Sequence, residues 1–162
     1  MEKTCCFTGH RVQKLPWRNN ELDFRCIALK NKLKNEIINA IRKGYSSFFC
    51  GMALGFDFYY AEAVLDLKSD FPHIKLFGAL PCNNQDCKWN DSDKLRYRRL
   101  LDKLDDVRRI YDRYIGPECM LERNRFMVNN SSLLIACYFG GGGGTKATID
   151  YAKKQGLEIV LL

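Results

Sequence analysis

Short apolar runs alternate with amphipathic helical patterns along this 162-residue chain, and this alternation limits the possible fold more than any other feature. One group of apolar residues has the three- and four-residue spacing of a single helix face: Leu22, Cys26, Leu29, Leu33, Ile37 and Ala40. The short runs between such helices are typical of buried strands. About six strands alternating with five helices predict an α/β sandwich built on a mostly parallel sheet.

Apolar runs and turn signals place the individual elements. Strands are expected at residues 4–7, 45–50, 74–80, 107–111, 133–139 and 157–162. Gly44 would end the first helix, and the other four are marked by residues 61–67, 97–104, 117–128 and 145–152. The candidate caps for the third helix are Asn90, Asp91, Ser92 and Asp93, and Thr145 is the candidate for the fifth. The length predicts a single domain, residues 1–162.

The charge balance favours anionic partners. Lys plus Arg number 26 and Asp plus Glu number 19, so the formal charge is +7 and the pI is about 9.0. Arginines cluster in one segment that resembles a nucleic-acid footprint: Arg96, Arg98, Arg99, Arg108, Arg109 and Arg113. Four nearby acids dilute that charge: Asp102, Asp105, Asp106 and Asp112. Nucleic-acid binding is therefore an alternative here and not the favoured function.

The eight cysteines do not have the spacing of a metal site, since none form a Cys-x-x-Cys pair. Four lie in apolar runs and are expected to be buried and reduced: Cys5, Cys6, Cys50 and Cys137. No apolar run approaches the roughly 18 residues that a membrane span needs. The sequence thus predicts a cytoplasmic protein without metal or cofactor, and we expect a homo-oligomer.

The loops that follow the strands are the expected ligand-binding region, because parallel α/β sheets bind ligands at the carboxyl ends of their strands. The most unusual of these loops holds five consecutive glycines, 140–144, between a strong strand and a helix. Glycine allows positive φ and close approach to a ligand, and a helix N-terminus attracts phosphate. We therefore expect Gly141, Gly142, Gly143, Gly144 and Thr145 to bind phosphate. The residue order fits neither a P-loop nor a dinucleotide fingerprint.

Two further strand-to-helix loops carry candidate ligand-binding residues. In the second loop, Gly51 and Gly55 permit a tight turn, and Asp57 could cap the helix or bind a ribose hydroxyl. The first loop contains Thr8, Gly9, His10 and Arg11, where Arg11 could bind phosphate and His10 could be structural or catalytic. A later helix adds Arg123, Asn124 and Arg125, and we expect one of its two arginines to face the ligand.

These residues carry a resemblance to a known family. The segment Phe7-Thr8-Gly9-His10-Arg11 resembles the signature of the YpsA-like branch of the SLOG superfamily. The Gly51-x-x-x-Gly55-x-Asp57 turn, the Arg123-Asn124 pair and the glycines ending at Thr145 fall where that superfamily has equivalents. The resemblance implies a Rossmann-like three-layer sandwich that binds a nucleotide or an ADP-ribose-like derivative. Related proteins include the LOG phosphoribohydrolases and DNA-processing protein A, which binds single-stranded DNA.

One departure from the LOG enzymes bears on catalysis. Their glycine motif is followed by a glutamate that takes part in glycosidic cleavage, and the corresponding position here is Thr148. A threonine cannot serve as a carboxylate acid or base. The favoured hypothesis is therefore a nucleotide-binding or sensing module with no catalytic residue. The alternative is a nucleoside-phosphate or ADP-ribosyl glycosidase in which Asp57 supplies the carboxylate.

Overall fold

Helices and parallel strands alternate in the computed structural model, which describes residues 2–162. The strands are β1 (Lys3–Gly9), β2 (Tyr45–Cys50), β3 (Lys75–Leu80), β4 (Asp106–Arg109), β5 (Leu133–Cys137) and β6 (Glu158–Leu161). The helices are α1 (Phe24–Arg42), α2 (Phe56–Leu67), α3 (Asp91–Leu101), α4 (Glu118–Asn129) and α5 (Gly144–Lys154). All five strand pairings are parallel, which confirms the predicted sheet.

The strand order is β4-β3-β2-β1-β5-β6, so the chain builds outward from β1 in one direction and then crosses to β5 on its other side. Right-handed crossovers then place α1, α2 and α3 on one face of the sheet and α4 and α5 on the opposite face. The change of direction lies between β1 and β5. In such sheets this switch point leaves a crevice at the carboxyl ends of the strands.

Two apolar cores hold the layers together. The larger lies under α1 and α2 and includes Phe7, Phe48 and Tyr60, all fully buried. The smaller lies under α4 and α5 and includes Leu134 and Ile149. The four cysteines expected in the strands are all buried. No helix in the described part of the chain is long and apolar enough to cross a membrane.

Two helix starts differ from the sequence prediction. Helix α1 begins at Phe24 because the Asp23 carboxylate accepts a hydrogen bond from the Arg25 amide, and Leu22 is left 85% exposed. Helix α5 begins at Gly144, with Gly143 at its N-cap. Thr145 lies inside the first turn, so its expected capping role is wrong. The reason is that the positive φ of Gly143 already ends the loop there.

Helix α2 starts earlier than its apolar pattern indicated. Gly55 occupies its N-cap, and Asp57 lies in the first turn instead of in the preceding loop. The Asp57 carboxylate does not cap the helix end; its Oδ2 accepts a hydrogen bond from the Ala53 amide, 3.0 Å away, across the loop. Of the four candidate caps of α3, the structure has Asn90 at the N-cap, where its side chain accepts a hydrogen bond from the Asp93 amide.

Candidate functional site

A cavity of about 310 Å³ opens at the carboxyl edge of the sheet, beside the switch point between β1 and β5. Its wall is built from the end of β1 and the turn after it, the β2–α2 loop, one face of α4 and the start of α5. Nine of the residues expected at a ligand site line it: Thr8, Gly9, His10, Arg11, Asp57, Arg123, Asn124, Gly144 and Thr145. The other five candidates lie outside the wall: Gly51, Gly55, Gly141, Gly142 and Gly143.

Arg123 is the most informative side chain of the cavity. It is only 3% exposed, and no carboxylate of residues 2–162 lies within 4.0 Å of its guanidinium group. Its Nη1 donates to the Gly51 carbonyl over 2.6 Å and its Nε donates to Asn124 Oδ1 over 2.7 Å. The remaining Nη2 contacts only the Met120 sulfur at 3.9 Å.

Burial and nearby charges both affect the pKa of the Arg123 guanidinium group. Burial lowers the pKa of Arg123, the charge of Asp57 opposes that decrease, and the charge of Arg11 adds to it. A charge removed from water is costly unless an opposite charge or several hydrogen bonds replace its hydration. An anion in the cavity would provide that replacement and would contact Arg11 as well.

Gly51 contributes to the site through Arg123, although it does not touch the cavity. A Cβ atom at this position would lie 2.6 Å from Arg123 Nη1 and 2.8 Å from its Cζ. The absence of a side chain therefore lets the guanidinium pack against the β2–α2 loop. Of the two arginines on α4, only Arg123 lines the cavity, whereas Arg125 is exposed and pairs with Glu122.

Asp57 provides a carboxylate in the same wall. It is 9% exposed, and burial raises its pKa while the charge of Arg123 opposes the increase. A carboxylate at this position can accept hydrogen bonds from the hydroxyl groups of a sugar. It lies in the first turn of α2, on a different element from the α5 terminus, so the two ends of one ligand could be recognised separately.

His10 connects the first loop to the segment that precedes the glycines. Its Nε2 accepts a hydrogen bond from the Phe139 amide at 2.9 Å, which places the proton of the neutral ring on Nδ1. Burial lowers the pKa of His10, and the charge of Lys14 lowers it further, so the neutral form is favoured. The Phe139 ring stacks on the imidazole with centroids 5.7 Å apart.

The glycine segment presents one end to the cavity. Gly144 and Thr145 lie in the first turn of α5, so the positive end of the helix dipole points into the cavity. Gly140, Gly141 and Gly143 have positive φ, which only glycine adopts without strain. The run is exposed to solvent, and an anion-binding role for Gly141, Gly142 and Gly143 stays a prediction.

Lys14 is a cavity residue that the sequence analysis missed. It follows Arg11 in a short 3₁₀ turn, Val12–Lys14, and its Nζ donates to the Gly142 carbonyl at 3.0 Å. It also lines the cavity with Gln13, which was missed too. A three-residue turn leaves no periodic signal, so only the closeness of these residues to Arg11 in the chain pointed to them.

The glutamate position of the LOG enzymes has no catalytic counterpart in the cavity. Thr148 is 4% exposed, and its Oγ1 donates to the Gly144 carbonyl within α5 at 2.8 Å. It is not part of the cavity wall. Among the described residues, Asp57 is the carboxylate that lines the cavity.

The arginine cluster in the sequence does not form one surface. Arg96 is held by Glu21 and Glu62, with nitrogen–oxygen distances of 2.6 Å to each, on the α3 side of the sheet. Arg108, by contrast, lies over the ring of Phe126 on the opposite side. Arg96 and Arg108 therefore do not share one surface, because α3 and β4 direct these two side chains to different faces.

Comparison with known proteins agrees with the signature residues. The YspA SLOG family model matches residues 5–157. The SPbeta prophage-derived protein YoqJ of Bacillus subtilis is 34% identical over 140 residues, which cover 79% of this chain and 82% of that protein. A UPF0398 protein of Brevibacillus brevis is 28% identical over 132 residues, covering 81% and 70% of the two chains.

Solved structures show the same fold in DNA processing protein A. The Streptococcus pneumoniae protein superposes with a TM-score of 0.68 at 15% identity, and the match covers 99% of this chain. The Helicobacter pylori protein superposes with a TM-score of 0.66, also at 15% identity, over 98% of this chain. The chain spans 50% and 64% of the lengths of these two proteins.

Proposed function

Because the chain belongs to the YpsA family of SLOG proteins, we propose that it binds a phosphate-bearing nucleotide in the cavity at the carboxyl edge of its sheet. The observation that carries this proposal is Arg123, a buried cation in the cavity wall with no carboxylate of residues 2–162 within 4.0 Å of its guanidinium group. In this proposal the phosphate lies between Arg123 and Arg11, in front of the first turn of α5. Arginine and a helix N-terminus are both favourable phosphate contacts.

The remaining polar groups of the wall suit the sugar of a nucleotide. Asp57 would accept hydrogen bonds from the ribose hydroxyls, and Asn124 could add a further polar contact. A volume of about 310 Å³ lies at the lower end of the range for small-molecule sites, which suits a ligand near the size of one nucleotide. Lys14 would supply a third positive charge, from the side of the glycine segment.

Single-stranded nucleic acid is the second candidate ligand. DNA processing protein A from Helicobacter pylori, which shares this fold, binds single-stranded DNA. A strand also carries the phosphate and sugar groups that the cavity wall suits, so both candidates make use of Arg123. The fold likeness supports this candidate over a ligand restricted to ADP-ribose.

We propose binding without glycosidic cleavage. The hydroxyl of Thr148 is bound within its own helix, and Asp57 is the only carboxylate that residues 2–162 contribute to the cavity wall. The two-carboxylate arrangement that most glycosidases use is therefore absent from the cavity wall.

Calorimetric titration with AMP, ADP-ribose and NAD tests both parts of this proposal. We expect at least one of these ligands to bind with a Kd below about 1 mM, equivalent to roughly −4 kcal/mol. Chromatography of the same mixtures should recover the ligand intact. If none binds at millimolar concentration, the free-nucleotide function is wrong. Release of a base that the Asp57→Asn variant abolishes would establish the glycosidase alternative instead.

A further inference from the structure

A groove leads away from the cavity across α4 towards the β4 edge of the sheet. It consists of three shallow depressions, and each shares side chains with the next. Asn124 lines both the cavity and the first depression. Arg125 and Tyr151 are common to the first and second, and Arg108 and Phe126 to the second and third. We call this continuous path the basic–aromatic groove.

Guanidinium groups and aromatic rings are paired along this groove. Arg125 lies over the Tyr151 ring and Arg108 over the Phe126 ring, each 5.7 Å from the ring centroid. Phe126 in turn contacts Phe49 on the sheet, with ring centroids 5.6 Å apart. These rings are only half-buried, and both arginines are exposed. Planar guanidinium groups and aromatic rings are the surfaces on which proteins stack nucleobases.

Unpaired positive charges accompany the rings. Arg108, Arg109 and Lys154 are exposed, and none forms an ion pair with another residue in the range 2–162. Two of the three acids of the groove form ion pairs, Glu122 with Arg125 and Asp150 with Lys146. Asp106 accepts a hydrogen bond from the Val107 amide and keeps its charge. Within residues 2–162 the groove therefore has three cations outside ion pairs against one such carboxylate, an excess of positive charge that favours a phosphate backbone.

We propose that the basic–aromatic groove binds a single-stranded nucleic acid, one nucleotide of which occupies the cavity. This inference rests on the proposed nucleotide function and extends it from a single nucleotide to a strand. Phosphates contact Arg108, Arg109 and Lys154, and bases stack against the Arg125–Tyr151 and Arg108–Phe126 pairs. Strand affinity then has two separable parts, one from the cavity and one from the groove.

Fluorescence anisotropy with a labelled 20-mer of thymidine tests the groove, using the double variant Arg108→Gln/Arg109→Gln. We expect this variant to bind the strand about tenfold more weakly at 50 mM salt. The slope of log K against log salt should fall by about 1.4, because two phosphate contacts are lost. The matched control is Arg98→Gln/Arg99→Gln, which removes the same charge from α3 and should bind like the unmodified protein. A 20-mer of uridine distinguishes RNA from DNA as the preferred strand.

Calorimetry with AMP separates this inference from the function on which it rests. Both double variants should bind AMP like the unmodified protein, since neither pair of arginines lines the cavity. The groove proposal would be overturned if both double variants bound the strand equally more weakly, or if neither bound it more weakly. It would also be overturned if the unmodified protein did not bind the strand. Failure of the unmodified protein to bind AMP would instead count against nucleotide binding in the cavity.

Discussion

Replacing Gly55 by alanine should lower the free energy of unfolding by about 3 kcal/mol or more, and Tm by roughly 6–12 °C. Gly55 has a φ of +94°, which strains any residue with a side chain. A Cβ atom here would also lie 2.8 Å from the His10 carbonyl oxygen and 2.9 Å from the Val12 nitrogen. Both close contacts are with backbone atoms, so the first two loops would have to separate to make room for the Cβ atom. Chemical denaturation followed by circular dichroism measures the loss.

Gly142→Ala is the matched control for this variant. Gly142 belongs to the glycine run, its φ is not in the left-handed region, and a Cβ atom there would have nothing within 4 Å. We expect a change within about 0.5 kcal/mol. Equal stability of the Gly55→Ala protein and the control would contradict the account of how the two loops pack.

Arg123→Met should weaken nucleotide binding by at least about 30-fold, because loss of one partner of a buried charged contact costs about 2 kcal/mol or more. The fold should tolerate the change. Methionine has a similar length and is apolar. Its substitution removes a buried charge that forms no ion pair within residues 2–162, which offsets the lost hydrogen bonds to Gly51 and Asn124. We expect Tm to shift by no more than about 4 °C. Calorimetry and thermal unfolding of the same preparation measure the two effects.

Arg125→Met provides the control on the same helix. Arg125 is exposed and lies outside the cavity, so AMP binding should be unchanged. If Arg123→Met unfolded the protein and left no measurable binding defect in the folded fraction, Arg123 would be structural. Equal loss of AMP binding in the two variants would show that net charge, and not the cavity, attracts the ligand.

The fold could be predicted from the sequence because the parallel α/β architecture leaves a strong pattern. Buried strands appear in the sequence as short apolar runs, and helices appear as apolar residues spaced three and four positions apart. The right-handed chirality of crossovers then restricts the possible topologies. The rule that ligands bind at the carboxyl ends of strands selected the edge of the sheet at which the structure has its cavity. The order of the strands within the sheet leaves no such pattern in the sequence. The position of the switch point, between β1 and β5, therefore came from the structure.

The details of the site were predicted less completely, for identifiable physical reasons. Arg123 and Arg125 are two residues apart on α4 and therefore point in directions about 200° apart, so only one could face the cavity. Sequence spacing alone did not say which. Asp57 was expected in a loop because the glycines before it suggested a longer turn, whereas Gly55 alone ends that turn.

Long-range contacts account for the largest differences between sequence and structure. Lys14 reaches Gly142, and His10 reaches the Phe139 amide, across more than 120 residues of chain. Arg96 and Arg108, both from the arginine cluster, lie apart for a related reason. Arg96 belongs to α3 and Arg108 to β4, on either side of the turn that joins these two elements. Residues that are close in sequence need not share a surface, because a helix and the strand that follows it can direct their side chains to opposite faces of the sheet.

The most direct test of the phosphate cavity is a calorimetric comparison of AMP with adenosine on the unmodified protein. The two ligands share a base and a ribose and differ in the phosphate alone. If Arg123 and Arg11 bind that phosphate, AMP should bind at least about tenfold more tightly, a difference of roughly 1.4 kcal/mol. Equal affinity for the two ligands, or tighter binding of adenosine, would contradict the account.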